Sequence, residues 1–223
     1  MEIIVLSLFP KMFDGFLSES IIKRAIDKNI VNIRVINFRD YSVYNNNQVD
    51  DTPYGGGAGM VLMCDPIFRC LDEIRDDGSY VVLLSPEGNR YNQEKAREYK
   101  NIKKLIIICG HYEGFDERIK EEADEIVSVG DYILTGGEIG AMAIMDSVIR
   151  LVPGVINNES LDDESFNDGL LDYPVYTKPE EYRGKKVPSI LLSGNHQKIK
   201  EYRQNERIRV TKEKRPDLLS EDV

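Results

Sequence analysis

Five short apolar runs, separated by segments of helical character, constrain the fold of this 223-residue chain more than any other feature. The runs read EIIVLSLF (2–9), NIRVINF (32–38), YVVLLS (80–85), KLIIIC (104–109) and EIVSVG (125–130). Helix-like segments lie near residues 10–28, 65–75, 91–99, 115–123 and 137–150. Continuous apolar strands that alternate with helices are typical of a parallel sheet covered by helices on both faces. The sequence therefore predicts an α/β domain over residues 1–156.

Beyond residue 156 this alternation stops. Residues 157–168, NNESLDDESFND, are polar, acidic and aperiodic, which predicts a flexible linker. The stretch that follows is extended and contains several Pro residues, and a helical segment over 194–215 ends before Pro216. We therefore expect a small, mainly helical C-terminal domain over residues 169–223.

The composition excludes several classes of protein. No run of about 18 apolar residues is present to span a membrane, and the first residues lack the pattern of a signal peptide, so we expect a cytoplasmic protein. Cys64, Cys70 and Cys109 have no CxxC spacing and are expected to be buried, reduced thiols. His111 and His196 are far apart, so we expect no dedicated transition-metal site.

The net charge of −10 argues at first sight against a nucleic-acid partner, because phosphate binding depends on Lys and Arg. The charge is unevenly distributed, however. Residues 178–215 contain twelve Lys or Arg and five Glu, a net +7, whereas residues 1–177 carry −14 and residues 216–223 carry −3. Charge alone leaves two interpretations open: a basic surface for RNA, or a solvated helix face with charges of alternating sign.

Glycine-containing segments follow three successive strands. They are SPEG (85–88), GHYEG (110–114) and GDYILTGGE (130–138). Ligands of open parallel sheets bind beyond the carboxyl ends of the strands, so these loops are expected to meet there. Three convergent loops would present many main-chain groups to a flat polar ring such as adenine. The alternative is three unrelated turns.

A fourth glycine segment, DTPYGGGAGM (51–60), resembles a phosphate-binding loop but lacks two of its defining features. It has no GK[ST] ending, and it follows the polar stretch NNNQVD instead of a strand. The sequence therefore supports neither a P-loop NTPase nor a dinucleotide-dependent dehydrogenase. Three interpretations of this segment remain: a flexible loop, a lid, or a nucleic-acid contact made by exposed backbone N–H groups.

The order and spacing of these motifs resemble the bacterial tRNA (guanine-N1)-methyltransferase family, within the SPOUT superfamily of knotted methyltransferases. The motifs span nearly the whole chain: SLFPKMF (7–13), PYGGGAGMV (53–61), LSPEG (84–88), CGHYEGFDER (109–118), VGDYILTGGE (129–138), GLLDYPVYTKP (169–179) and RPDLL (215–219). Four positions depart from the usual family residues, namely Glu87, His111, Gly140 and Tyr202.

The resemblance implies a C-terminal trefoil knot in the α/β domain, with S-adenosylmethionine (methyl donor) bound by the knotted loops. It also implies a homodimer with an active site shared between protomers, and guanosine 37 of tRNA as the methylated nucleoside. The positions that match the cofactor motif are Ser85, Pro86, Gly110, Glu113, Val129, Gly130, Asp131, Tyr132, Ile133, Leu134, Gly136 and Gly137.

Methylation at N1 of guanine requires removal of the N1 proton and stabilisation of the charge that develops on O6. Arg150 matches the catalytic Arg of the family, although an Arg at that position also complements a helix C-terminus. The family places the carboxylate directly before Ser-Phe in the linker, a position that Glu164 occupies here. We expect Glu164 to be the base, with the adjacent Asp163 as the alternative. The resemblance also implies assistance by a divalent ion such as Mg²⁺, for which the sequence offers no ligand set.

The basic C-terminal segment is expected to contact tRNA phosphates, which fixes register without reading bases. The candidate RNA-binding residues are Lys178, Arg183, Lys185, Lys186, His196 and Arg203. Two other hypotheses stay open: another SPOUT enzyme that modifies a ribosomal RNA base or a ribose 2′-hydroxyl, and an RNA-binding relic without catalysis. The carboxylate linker and the C-terminal motif argue against the first, and the retained cofactor motif argues against the second.

Overall fold

The computed structural model describes residues 1–157 and 164–219. The chain divides into two compact units, Met1–Ile156 and Asn157–Val223. Residues 158–163 of the expected linker, and with them the candidate base Asp163, lie outside the described residues. Within the described ranges, no helix is long and apolar enough to cross a membrane.

The first unit is built on a five-stranded parallel sheet. The strands of this sheet are β1 Glu2–Leu6, β2 Asn32–Ile36, β5 Ser79–Arg90, β6 Lys104–Ile108 and β7 Glu125–Ser128. A separate two-stranded sheet consists of β3 Asp50–Asp51 and β4 Val61–Leu62. The large sheet has the order β2-β1-β6-β5-β7, and β3 pairs with β4 in antiparallel fashion. In register, Ile4 of β1 lies level with Arg34 of β2 and Ile106 of β6.

Helices flank the sheet and enclose two apolar cores. Their bounds are α1 Asp14–Ser18, α2 Ser20–Asp27, α3 Cys64–Ile74, α4 Gln93–Tyr99, α5 Glu117–Lys120 and α6 Glu138–Ile149. Successive residues of β1 point to opposite faces, so Ile3 joins one core with Ile144 of α6 while Ile4 joins the other with Ile67 of α3. The predicted α/β architecture, a parallel sheet with helices against both faces, is confirmed.

Several element boundaries differ from the sequence prediction by a few residues, and those of the first helical segment and of β5 differ most. The helix expected over 10–28 is broken, because Glu19 is extended and Ser20 has a φ of 56°, which separates α1 from α2. The strand expected to end at residue 85 continues to residue 90 as β5, with a shift in its pairing to β7 between Leu84 and Asn89. A Cβ at Gly88 would lie 2.4 Å from the backbone nitrogen of Val127, so glycine permits the close approach that lets β5 pair again after the shift.

The second unit contains a short hairpin and one long helix. The hairpin strands are β8 Glu181–Tyr182 and β9 Lys185–Lys186, and the helix is α7 His196–Lys214. Arg183 and Gly184 join the strands with φ values of 50° and 75°, the positive pair that a two-residue hairpin turn requires. The side chain of Asn195 accepts a hydrogen bond from the backbone N–H of Lys198 and caps α7. The sequence prediction gave the helix within a few residues but missed the hairpin.

Candidate functional site

A cavity of about 310 Å³ lies in the first unit where the predicted loops meet. Its lining comes from three successive segments that follow or extend β5, β6 and β7, because parallel neighbouring strands deliver their carboxyl ends to one edge of the sheet. The lining residues are 84–86, 110–115, 127–130, 132–137 and 140. The convergence predicted for the three glycine-containing loops is therefore present.

Eleven of the twelve candidate cofactor-binding residues line this cavity, namely Ser85, Pro86, Gly110, Glu113, Val129, Gly130, Tyr132, Ile133, Leu134, Gly136 and Gly137. Asp131 does not belong to the lining. Its side chain is 77% exposed, and its carboxylate forms an ion pair with Arg90 instead. The carboxylate of Asp131 thus pairs with Arg90 in solvent, although the residues on either side of it line the cavity.

Two of the loops touch through their backbones at the cavity. The N–H of Gly137 donates a hydrogen bond of 2.9 Å to the carbonyl of Gly110. A Cβ at Gly137 would lie 2.7 Å from the Cα of Cys109 and 2.9 Å from the nitrogen of Gly110, too close for any side chain. Gly110 is similarly restricted, because its Cβ would lie 2.8 Å from the ring of Phe115. Glycines are therefore required where these two loops meet.

The fourth glycine segment is attached to the second of these loops. The N–H of Leu62 donates to the carbonyl of Gly114 at 2.9 Å, and the N–H of Glu113 donates to the carbonyl of Met60 at 3.0 Å. Gly59 has a φ of 81°, which favours glycine, and a Cβ there would displace the side chain of Glu113. One end of the segment is therefore anchored beside the cavity, while Tyr54 is fully exposed.

Sequence reasoning missed a buried polar connection next to the cavity. The hydroxyl of Ser7 donates a hydrogen bond of 2.7 Å to Oε1 of Glu138 and accepts one of 2.9 Å from the N–H of Phe9. The ring of Phe9 in turn lies 4.8 Å from the ring of His111, a cavity residue. Glu138 is 1% exposed and begins α6, where the helix dipole favours a carboxylate. A Glu directly after Gly-Gly at a helix start was the available signal.

The cysteines contribute no chemistry to this site. All three are free thiols, with Cys70 and Cys109 buried and Cys64 partly buried, so burial of Cys64 is less complete than expected. Burial raises the pKa of the Cys109 thiol well above its ordinary value, which keeps the group neutral. Within residues 1–157 and 164–219, no three His, Cys, Asp or Glu side chains converge as metal ligands.

The candidate catalytic residues are distributed over both units. Arg150 is half-buried and follows α6 directly, at the C-terminal end of that helix. Glu164 is half-buried in the second unit, and its carbonyl accepts a hydrogen bond of 3.3 Å from the N–H of Asn167. Both catalytic roles remain predictions from the sequence.

The basic segment divides into two groups of cations. The six candidate RNA-binding residues are all exposed, namely Lys178, Arg183, Lys185, Lys186, His196 and Arg203. Arg207, in contrast, is 7% exposed and forms a bidentate ion pair with Asp168, with an Nη1–Oδ2 distance of 2.9 Å. This guanidinium lowers the pKa of Asp168. Arg209 and Arg215 also have carboxylate partners, as does Lys186 among the six candidates, so the twelve cations of this segment are not all available to RNA.

Comparison with known proteins gives matches along nearly the entire chain. The family model described as tRNA (Guanine-1)-methyltransferase TrmD matches residues 1–221. A protein named tRNA (guanine-N(1)-)-methyltransferase from Malacoplasma penetrans is 56% identical over 219 residues, which cover 98% of this chain and 97% of the relative. Relatives of the same name from Geobacillus kaustophilus and Staphylococcus epidermidis are 55% and 52% identical, and each match covers 99% of this chain and more than 90% of the relative.

Proposed function

This chain belongs to the tRNA (guanine-1)-methyltransferase family, and from that premise we propose that it methylates N1 of guanosine 37 in tRNA, with S-adenosylmethionine as the donor. The observation that carries the proposal is the cavity at the strand ends, lined by eleven residues of the family's cofactor motif. A tRNA substrate implies that the protein works in the cytoplasm, where mature tRNA is used.

The cavity suits a ligand with an adenine ring and a polar tail. Its volume of about 310 Å³ falls in the usual range for small-molecule sites, roughly 300–1,000 Å³. Leu84, Val129 and Leu134 supply apolar walls, while the absence of side chains at Gly110 and Gly137 lets the two loops meet through their backbones at the cavity. When bound there, S-adenosylmethionine supplies a methyl group on a positively charged sulfur. The residues of the chain hold and orient that group and exclude water around it.

The two candidate catalytic side chains divide the remaining chemistry. The carboxylate of Glu164 accepts the proton from N1 of guanine, which makes N1 a nucleophile. Arg150 donates to O6 and stabilises the negative charge that develops there. The N1–carbon bond forms as the carbon–sulfur bond breaks, and the electron pair of that bond stays on sulfur. Asp163 takes the role of the base if Glu164 does not.

The exposed cations of the second unit bind the RNA backbone in this proposal. Lys and Arg neutralise phosphates and release counterions, so each contact adds to the salt dependence of binding. Such contacts fix the position of the tRNA without reading its sequence. Specificity for guanine then comes from the pocket that binds this base.

A homodimer and a trefoil knot complete the proposal. Apolar side chains beside the cavity support a dimer, because Ile133 is 80% exposed, Tyr132 is 58% exposed and Ile139 is 55% exposed. The backbone contact between the loops at Gly110 and Gly137 is consistent with a knotted arrangement of the segments. The dimer is proposed to combine Arg150 of one protomer with Glu164 of its partner.

The proposal is tested by methyl transfer from labelled S-adenosylmethionine to two tRNA transcripts that differ only at position 37. We expect transfer to the transcript with G37 and none to the transcript with A37. Mass analysis of the digested RNA locates the methyl group on N1. Label on a ribose, or equal label in both transcripts, would contradict the proposed activity.

The shared site is tested with heterodimers of Arg150→Ala and Glu164→Gln protomers, purified through two different tags. If each site uses residues from both protomers, one of the two sites in the heterodimer has both wild-type residues. We then expect about half of the wild-type activity from two inactive parents. A heterodimer as inactive as its parents would show that both residues act within one protomer.

A further inference from the structure

A second cavity, of about 340 Å³, lies entirely within the second unit and has no role in the chemistry above. Its walls combine aromatic, aliphatic and cationic side chains. The lining includes Tyr173, Tyr176, Lys178, Leu192, Ile199 and Arg203. One carboxylate, that of Glu180, also borders the space. A site with flat apolar walls and positive charge at its rim is suited to an anionic ligand that carries a planar ring.

One aromatic ring of the cavity packs against a cation, and another is exposed. The guanidinium of Arg203 lies over the ring of Tyr173, 4.7 Å from its centroid. Tyr176 is 47% exposed and Leu192 is 51% exposed, although both line a cavity in a folded unit. Large apolar side chains exposed around a concavity mark a binding surface more often than a solvated one. The arrangement leaves ring and aliphatic surface open to a ligand.

We propose that this cavity binds one unpaired nucleobase of the tRNA substrate, which stacks on the exposed Tyr176 ring while Lys178 and Arg203 contact the adjoining phosphates. The inference rests on the proposed function, since it takes tRNA as the ligand. Single-stranded RNA is recognised mainly by stacking of splayed bases on aromatic rings and on Arg planes. The cavity therefore adds base contacts to a surface that otherwise contacts only phosphates.

Charge favours RNA over a peptide segment as the occupant. Two cations and one carboxylate border the cavity, and the neighbouring hairpin adds Arg183, Lys185 and Lys186, of which Lys186 lies 3.5 Å from the carboxylate of Glu181. A polyanion gains from each of these cations, whereas an apolar peptide gains only from the walls. An apolar segment from a second copy of the chain is the alternative occupant, and the test below distinguishes it.

The experiment measures binding of full-length protein to tRNA transcripts that lack a single nucleobase, scanned through the anticodon loop. For the wild type, we expect one abasic position outside position 37 to weaken binding about 5- to 150-fold, the range that alanine substitution gives for one stacked base. Tyr176→Ala should weaken binding of intact tRNA similarly, and the same abasic position should then have little further effect. Tyr176→Phe, which keeps the ring, should bind like the wild type.

Salt dependence and oligomeric state provide the controls. Tyr176→Ala removes no charge, so the slope of log Kd against log salt should be unchanged, in contrast to a Lys substitution. Tyr44→Ala, which removes a ring of similar exposure (42%) from the first unit, should alter affinity less than twofold. Leu192→Trp should occupy the cavity and reproduce the loss in a variant that keeps the Tyr ring.

Three results would overturn the inference. Binding by Tyr176→Ala within twofold of the wild type, or additive effects of the variant and the abasic position, would show that no base occupies the cavity. A change of oligomeric state in Tyr176→Ala would assign the cavity to a second copy of the chain. Each of these outcomes leaves methyl transfer to G37 by the wild type untouched, so failure of this inference is separate from failure of the proposed function.

Discussion

The two units of this chain are stabilised by different kinds of interaction. In the first unit, residues 3–6 of β1 are apolar and completely buried, and cores lie against both faces of the sheet. Among the described residues beyond 156, Val210 is the only buried apolar side chain, and it is 8% exposed. The second unit relies instead on polar contacts, above all the ion pair of Arg207 and Asp168 and the hydrogen bond of 2.9 Å from the N–H of Leu171 to the hydroxyl of Thr211.

This difference determines how each unit presents chemical groups. A sheet buried on both faces holds strand ends rigidly, so loops of glycine can expose main-chain donors and acceptors in fixed positions. A small polar unit displays charged side chains on its surface, where each acts nearly independently. The first unit is therefore suited to enclosing a cofactor, and the second to contacting a long anionic partner.

The most severe test of this division is Glu164→Gln. The substitution keeps the shape of the side chain and removes its basicity, so we expect kcat to fall by about 10²- to 10⁴-fold, the usual contribution of a general base. Binding of S-adenosylmethionine should be unchanged, because the cavity residues belong to the first unit. Single-turnover methyl transfer and calorimetry measure the two quantities. A larger loss in Asp163→Asn than in Glu164→Gln would assign the base to Asp163.

The second test is Gly137→Ala in the first unit. The new Cβ would lie 2.7 Å from the Cα of Cys109, so the backbone of two loops must move. Overpacking of this kind costs about 1–3 kcal/mol, and we expect affinity for S-adenosylmethionine to fall about 5- to 150-fold. Gly15→Ala is the matched control, since nothing lies within 4 Å of its Cβ. Equal cofactor affinity in the two variants would contradict the assignment of the cavity.

The sequence predicted the cavity of the first unit well, for a physical reason. Apolar strands alternate with helices only in a narrow set of architectures, and in each of them the loops after neighbouring parallel strands meet. The ion pair of Asp131 with Arg90 was not predicted, because the two residues lie 41 positions apart in the chain. The partnership of Ser7 with Glu138 spans 131 positions and is equally absent from any local pattern.

The third test is Arg207→Ala, which removes the buried partner of the ion pair that stabilises the second unit. Asp168 would lose its partner but is 52% exposed, so water replaces part of the interaction. We expect a loss of about 1–2 kcal/mol in the local stability of α7, below the cost of breaking a fully buried pair. Hydrogen exchange of the α7 amides measures it. Arg209→Ala, at an exposed cation that pairs with Glu206 and Glu213, should cost less stability than Arg207→Ala, because water screens both of its ion pairs.

The same ion pair makes the second unit sensitive to acid. Arg207 holds the pKa of Asp168 below its usual value, so the folded state favours the ionised carboxylate. The resulting stabilisation is complete above the pKa of the unfolded carboxyl group, about 3.9, and disappears as the pH falls through the folded value. In Asp168→Asn, stability of α7 should change less between pH 5 and pH 2. An equally steep decline would assign the acid sensitivity to other carboxylates.

Charge counting along the sequence could not separate these roles in the second unit. Arg207 and Lys185 contribute equally to the sum over residues 178–215, yet the first is buried on a carboxylate and the second is exposed on a hairpin strand. The hairpin itself depends on positive φ at Arg183, a conformation that side chains rarely adopt and that a charge pattern does not reveal. Side-chain environment, which decides whether a cation is structural or available, emerges only with the fold.

The smallest expected effect, that of Lys185→Ala, gives the finest distinction between the units. If this exposed lysine contacts one phosphate, its removal should weaken tRNA binding a few-fold at low salt and reduce the slope of log Kd against log salt by about 0.7–0.9. Local stability of α7 should not change, since the residue lies outside that helix. Lys103→Ala, an exposed lysine of the first unit, should leave the slope unaltered. Equal slope changes in both variants would mean that tRNA contacts the two units alike, and the availability of cations in the second unit would then not explain where the RNA binds.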